Sequence, residues 1–523
     1  MRDPDFTLSA GPVAATPRVL AALGSPIVYH YDPAFIARFR ATQEKLKQVF
    51  LTQNDVLLMQ GEAILGLEAA ARGLVSPGTK VLNLVQGVFG KGMGYWLKDF
   101  GAELHELEVP YNDAVDPAAV EAYLDEHLGI ELVTVVHSET PSGTFCDVGA
   151  IGQIAHERGA LTLVDCVSSL GGMALDTDDW QLDVCVAGAQ KCLGGPPGMT
   201  LMSVSDAAWD RVSANAAAPR ASYLSMLDWK EQWLDGDKFP FTPSVSDLYG
   251  VEAAVDELLD EGLESSIERH ARSAAACRAG VRAMGLELWP RSDEIAADCV
   301  TAIAVPDGLT DTQVRAHCRE RYGVMLSAGQ GAGNLVRIGN MATSARGLYP
   351  VVGLAALGQT LLDLGARVDV GTGVETALAE MAFYRLLFFA DSPSTPMPPN
   401  AAEYTAFAAA IVADTAIDAT LPPLDRDSEA WADPVDYAAC QALADAARAG
   451  GIDAILYRSV RDRGGGRNIA LLTPRCFAAR EPVERQTWRI RLSAVSVQAL
   501  CEFPRSRIAF SRKDFAGDPR MAV

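Results

Sequence analysis

Lys191 stands in the stretch Ala187-Gly188-Ala189-Gln190-Lys191-Cys192-Leu193-Gly194-Gly195-Pro196-Pro197-Gly198, where an apolar run gives way to glycine and proline. Such a run ends a buried strand and delivers the lysine to a loop at the strand end. Held away from water, a lysine amine loses its proton readily and condenses with an aldehyde. Asp165 closes a similar run, Leu163-Val164-Asp165, ahead of Cys166-Val167-Ser168-Ser169. A carboxylate buried there needs a cationic partner, and a pyridinium N–H supplies one. Read singly, the lysine also suits an exposed turn and the aspartate a helix cap. Their spacing, one strand–helix step apart in a single sheet, favours a shared site.

These side chains need a scaffold, and the chain between residues 51 and 204 alternates short strand-like runs with helical stretches. Runs at 56–59, 80–85, 132–137, 161–165, 183–187 and 200–204 predict strands, and 63–75, 92–100, 117–126 and 148–158 predict helices. Alternation of this kind predicts an α/β fold with a mostly parallel sheet covered on both faces, and ligands gather at the C-terminal strand ends of such sheets. One long helix is expected over 251–283, between Gly250 and Gly285. Runs at 301–305, 323–327 and 335–338, with helices at 310–321 and 349–365, predict a smaller α+β domain. Four prolines within 393–399 predict a linker or loop. Beyond it, 437–449 is helical in pattern and 454–457 and 468–472 are strand-like.

Bulk properties narrow the function. With 49% hydrophobic and 21% charged residues over 523 positions, the chain has material for several packed domains. A net charge of −23 argues against nucleic acid as a partner. From residue 391 onward 17 acids face 16 bases, so nearly all the negative charge lies in the first 390 residues and the tail is a different module. The ten cysteines form no C-x-x-C pair and the seven histidines end at His317, which suits neither a zinc site nor a disulfide framework. No metal is expected. No apolar run approaches 18 residues, so no membrane span is expected, and a cytoplasmic protein is.

Five stretches, in order, resemble the class V family of fold-type I pyridoxal-phosphate enzymes, which includes alanine–glyoxylate and serine–pyruvate aminotransferases. They are Ser9-Ala10-Gly11-Pro12-Val13, Ser138-Glu139-Thr140-Pro141-Ser142-Gly143, residues 164–169, Gln190-Lys191 and Arg337-Ile338-Gly339-Asn340-Met341. The resemblance spans roughly residues 5–375. It implies that Lys191 forms the Schiff base, Asp165 pairs with the ring nitrogen and Phe89 stacks on the ring. Thr140 and Ser142 then lie near the phenolic oxygen, Gln190 joins the cofactor site, and Arg337 clamps the substrate carboxylate. It further implies that Thr242 reaches a neighbouring subunit's site in a homodimer or dimer of dimers.

The family's phosphate-binding turn carries a small hydroxyl residue where this chain has Glu62, in Gln60-Gly61-Glu62-Ala63-Ile64. Two unit charges about 4 Å apart repel by about 4 kcal/mol at an effective dielectric near 20, and a phosphate carries nearly twice that charge. A carboxylate suits an uncharged hydroxymethyl group instead. Residues 88–96, 218–222 and 240–246 are similar to the branch of the family that transaminates free pyridoxamine. That likeness implies conversion of pyridoxamine and pyruvate to pyridoxal and L-alanine, in vitamin B6 degradation. The vitamer is then a substrate and no cofactor is tightly bound. The alternative is a pyridoxal 5'-phosphate-dependent alanine–glyoxylate or serine–pyruvate type. Phe89 stands where that branch has tyrosine, and Gln330 where it has a second arginine.

The last third resembles the later part of a RES domain, through residues 375–385, 455–461 and 464–472. That family consumes NAD, and the resemblance places Glu380 and Ser459 in its pocket. The family's earlier arginine and tyrosine segment has no counterpart here, so the module is expected to be truncated, and a NAD-handling role for it is a second alternative. The expected division is a large domain over 1–254, a small domain over 255–375 and the RES-like module over 376–523.

Overall fold

The apolar runs of the first 200 residues form a seven-stranded sheet in the computed structural model of the chain. The structure describes residues 3–389 and, beyond them, 402–408, 410–427, 431, 438–458, 467–478, 484–492, 496–501 and 506–511. The strands are β1 (Phe6–Thr7), β2 (Asp55–Gln60), β3 (Lys80–Val85), β4 (Glu103–Glu108), β5 (Leu132–Val136), β6 (Ser138–Glu139), β7 (Thr144–Phe145), β8 (Leu161–Asp165), β9 (Val184–Gly188) and β10 (Met199–Val204). The helices among them are α1 (Pro17–Leu23), α2 (Pro33–Phe50), α3 (Ala63–Leu74), α4 (Val88–Asp99), α5 (Pro117–Glu126) and α6 (Val148–Glu157).

The large sheet has the order β2-β10-β9-β8-β5-β3-β4. The pairs β9–β8, β8–β5, β5–β3 and β3–β4 are parallel, and β10 runs antiparallel to both its neighbours. Every residue of β5, β9 and β10 is buried, as expected of strands covered on both faces. One apolar core runs through the sheet and its helices, from Phe39 and Leu58 through Leu82, Val133 and Leu163 to Val186 and Leu201.

A second core surrounds a three-stranded antiparallel sheet of β11 (Val300–Ala304), β14 (Leu335–Gly339) and β13 (Ser327–Ala328), while β12 (Val324–Met325) pairs with β1. Leu8, Cys277, Ile303, Val314, Ile338 and Leu357 fill this core. The continuous helix expected over 251–283 is instead two, Val245–Glu261 and Leu263–Ala283. Gly262 separates them with φ of 92°, a left-handed conformation that breaks the helical hydrogen-bond ladder. The run expected at 323–327 is likewise split, into β12 and β13.

By internal contacts the chain divides into two units, Met1–Arg385 and Leu386–Val523. The expected boundaries at 254/255 and 375/376 fall inside the helices Val245–Glu261 and Val370–Phe389. In the second unit Ala402–Ala408, Glu484–Leu492, Ser496–Cys501 and Ser506–Ser511 form an antiparallel sheet. Ala416–Asp418, Ala454–Arg458 and Arg467–Leu471 form a smaller one. Ala419, Ala447 and Ile455 are buried beside it. The linker expected at 393–399 lies outside the described residues. No helix among the described residues is long and apolar enough to cross a membrane.

Candidate active site

The C-terminal ends of the parallel strands bring the expected residues together. Gly61 and Glu62 follow β2, Phe89 follows β3, Glu139 and Thr140 follow β5, Asp165 ends β8, and Gln190 and Lys191 follow β9. Lys191 is half-buried, and its ammonium donates to the Ala10 carbonyl at 2.9 Å. The loop that supplies this carbonyl approaches so closely that a Cβ on Gly11, at φ of 91°, would lie 2.2 Å from Lys191 Cδ. Burial holds the amine's pKa below the usual lysine range, opposed by Cys299 and aided by the Arg337 cation.

Asp165 is buried, and its carboxylate accepts from the Val167 amide at 3.0 Å. Burial raises its pKa to about 6, against the pull of the Val167 N–H and the Lys191 charge. It makes no ion pair among the described residues, and a cationic N–H placed beside it would favour its charged form.

Arg337 is 3% exposed on β14 and donates through Nη1 to the Thr140 carbonyl at 2.8 Å. Its Nε has no partner, and it too makes no ion pair among the described residues. Burial lowers its pKa to about 10, which leaves it cationic at neutral pH. A buried, uncompensated guanidinium is costly and is the natural seat of an incoming carboxylate.

Glu62 is the N-cap of α3. One carboxylate oxygen accepts from the Ile64 amide at 2.9 Å and the other from Gln190 Nε2 at 2.6 Å. The positive end of this helix therefore already holds an anion. Gln190 Oε1 is buried with no partner.

Two further expectations concern the hairpin of β6 and β7. Thr140 is buried there and gives its carbonyl to Arg337. The Ser142 hydroxyl is engaged within the hairpin, 2.8 Å from Thr144 Oγ1 and 3.2 Å from the Glu139 carbonyl. The neighbouring Glu139, which motif reasoning quoted but gave no role, is fully buried. It accepts from the amides of Gly90 at 2.7 Å and Phe89 at 3.2 Å. Burial lifts its pKa to about 7 against those two bonds. Cys299 was also missed. It lies 3.1 Å from Ser138 Oγ and acts electrostatically on Lys191 and Arg337.

Thr242 is exposed, as is Gln330 in its loop. Glu380 lies on the helix Val370–Phe389, and Ser459 lies outside the described residues. No group of three or more His, Cys, Asp or Glu among the described residues could hold a metal ion.

A lysine amine poised at a strand end, a buried carboxyl and a buried guanidinium form the constellation of an amino-group transfer site. Residues 19–346 match the family described as Aminotransferase class-V. The chain belongs to that family. Residues 370–493 match the RES domain. The pyridoxamine–pyruvate transaminase of Mesorhizobium japonicum is 47% identical over 379 residues, covering 72% of this chain and 96% of that protein. The crystal structure of pyridoxamine–pyruvate aminotransferase from Mesorhizobium loti superposes with a TM-score of 0.72 at 46% identity, over 73% of this chain and 98% of the other. Ureidoglycine–glyoxylate aminotransferase from Bacillus subtilis gives a TM-score of 0.70 at 30% identity, over 73% and 99%.

Class-V aminotransferases generally use pyridoxal phosphate. The groups present suit a B6 ring: an amine of lowered pKa, a buried carboxyl without a cation, and an Arg337 Nε and a Gln190 Oε1 left without partners.

Proposed function

We propose that this class-V aminotransferase converts free pyridoxamine and pyruvate to pyridoxal and L-alanine. The observation that carries the reading is the Glu62 carboxylate at the N-terminus of α3, bonded to the Ile64 amide and Gln190. In a site built for a phosphate those donors and that helix end would serve the dianion. Here they serve a carboxylate, which repels a phosphate and can accept from a hydroxymethyl group. The 47% identity with a pyridoxamine–pyruvate transaminase supports the same substrates. On this reading the vitamer is a substrate and not a retained cofactor.

On this reading the geometry supports the following roles. Asp165 would hold the proton of the ring nitrogen, and the ring, when bound, would supply an electron sink. Phe89 would stack on the ring, with Thr140 and Ser142 on the hairpin side and Gln190 completing the vitamer side. Lys191, of lowered pKa, would form the covalent link to pyridoxal and move the proton between the vitamer's C4′ and the α-carbon of the amino acid. Arg337 binds the oxoacid carboxylate. Gln330 stands in the loop between β13 and β14, where the pyridoxamine–pyruvate branch has a second arginine, so the oxoacid carboxylate falls to Arg337. Thr242, exposed, serves a neighbouring subunit's site in a homodimer or dimer of dimers.

The test is pyridoxal formation from pyridoxamine and from its 5'-phosphate, with pyruvate and glyoxylate in turn, in the natural chain and in Glu62→Ser. The natural chain is expected to prefer the free vitamer. Glu62→Ser is expected to shift that preference toward the phosphate by about tenfold or more. Unscreened repulsion from even one unit of the phosphate's charge would correspond to roughly 1000-fold, but Glu62 faces solvent and is screened. Pyridoxal phosphate retained through purification, with the phosphorylated vitamer preferred, would overturn the reading.

A further inference from the structure

We propose that Glu139 is a positioning residue that caps α4 from the β6–β7 hairpin and so holds Phe89 against the vitamer. The inference rests on the reading of this site as a B6 pocket. Helix α4 begins after Gly87, which offers no side-chain cap. A helix start leaves several amides without partners, and a serine or aspartate at the N-cap would ordinarily satisfy one. Here Oε1 of Glu139 takes the Gly90 amide and Oε2 takes that of Phe89, from about 50 residues away.

The glycine and the glutamate compete for one volume. A Cβ on Gly87 would lie 2.4 Å from Glu139 Cδ and 2.6 Å from Oε2, so a local cap and this remote one exclude each other. A local cap would serve the helix alone. The remote one ties the first turn of α4, with Phe89, to the hairpin whose next residue gives its carbonyl to Arg337. The hairpin is itself braced, by the Ser142–Thr144 bond and by the Gly143 carbonyl accepting from the Ala297 amide at 2.9 Å. The vitamer side and the oxoacid side of the site are thus referenced to one rigid turn. Stability alone does not explain the arrangement, because burying a carboxylate is costly and a serine cap would avoid that cost.

The experiment compares the natural chain with Glu139→Ala, Glu139→Gln, Gly87→Ser and the double variant Gly87→Ser/Glu139→Ala. The readouts are pyridoxal affinity by absorbance titration and the KM for pyruvate. Glu139→Ala is expected to weaken pyridoxal binding about tenfold and to leave the pyruvate KM within about twofold, because Arg337 keeps its main-chain acceptor. Glu139→Gln keeps the shape with a single acceptor oxygen, so an intermediate loss is expected even if the alanine variant does not fold. Gly87→Ser alone collides with the carboxylate and is expected to weaken binding. The double variant, with a local cap in the vacated space but no tie to the hairpin, is expected to recover thermal stability while pyridoxal binding stays weak. Unchanged pyridoxal affinity in the alanine and glutamine variants overturns the proposal. So does a parallel rise in both constants, or a double variant that regains the natural pyridoxal affinity through its local cap. A natural chain that binds no B6 vitamer removes the underlying reading and this inference with it.

Discussion

Arg337 carries its charge into the interior with one main-chain carbonyl as partner and its Nε unbonded. An ion buried this way is tolerated where a ligand completes it, and the planar fork suits a carboxylate held by two parallel bonds. Lysine at this position would keep the charge and lose the second bond and its direction. Arg337→Lys is therefore expected to lower kcat/KM for pyruvate on the order of 100-fold. Pyridoxal affinity should stay within a few-fold, since the vitamer meets other groups. Steady-state kinetics in pyruvate beside a pyridoxal titration separates the two effects. Equal loss in both would show that Arg337 supports the pocket as a whole.

At the scale of elements, the Lys191 amine is held by a loop distant in sequence, through the Ala10 carbonyl. Gly11 lets that loop lie against the Lys191 side chain, through its positive φ and through the space its missing Cβ leaves. Gly11→Ala would bring strain and a contact 2.2 Å from Cδ, so the lysine must shift. The expected result is a several-fold slower borohydride-trapped adduct of pyridoxal at Lys191, read by peptide mass, with a melting temperature only a few degrees lower. An unchanged rate would mean that the loop does not aim the amine. The lysine's place at a strand end was legible because apolar run, lysine and glycine–proline loop are contiguous. The same holds for α5, whose expected bounds match Pro117–Glu126. What stayed illegible was non-local. The expected start of α4 was four residues late because its cap lies in another hairpin and leaves no serine or aspartate at the N-cap. β4 escaped notice because Glu103-Leu104-His105-Glu106-Leu107-Glu108 is a polar edge strand, paired on one side only. The break at Gly262 was hidden because helical periodicity resumes after it.

For the whole molecule, the site makes stability depend on pH in a direction that can be worked out. Burial raises Asp165 to about 6 and Glu139 to about 7, so the folded chain holds protons there that an unfolded chain releases near pH 4. Their contribution is fully present below about pH 4 and is lost as pH rises through 6 and 7. His137 and His270 act in the opposite sense. Burial lowers them to about 4 and about 3, so their contribution is present above about 6.5 and is lost as pH falls through 4 and 3. A variant isolates one term from this sum. Asp165→Asn cannot ionise, yet its amide oxygen can still accept from the Val167 N–H. Relative to the natural chain it should gain stability as pH rises from 4.5 to 7.5, by at most about 3 kcal/mol. Denaturant midpoints across that range measure the gap. Saturating pyridoxal should narrow it, because a ring N–H stabilises the carboxylate in the natural chain and finds no anion in the variant. A gap that is the same at every pH would mean that Asp165 is solvated, and the ring-nitrogen role would fall with it.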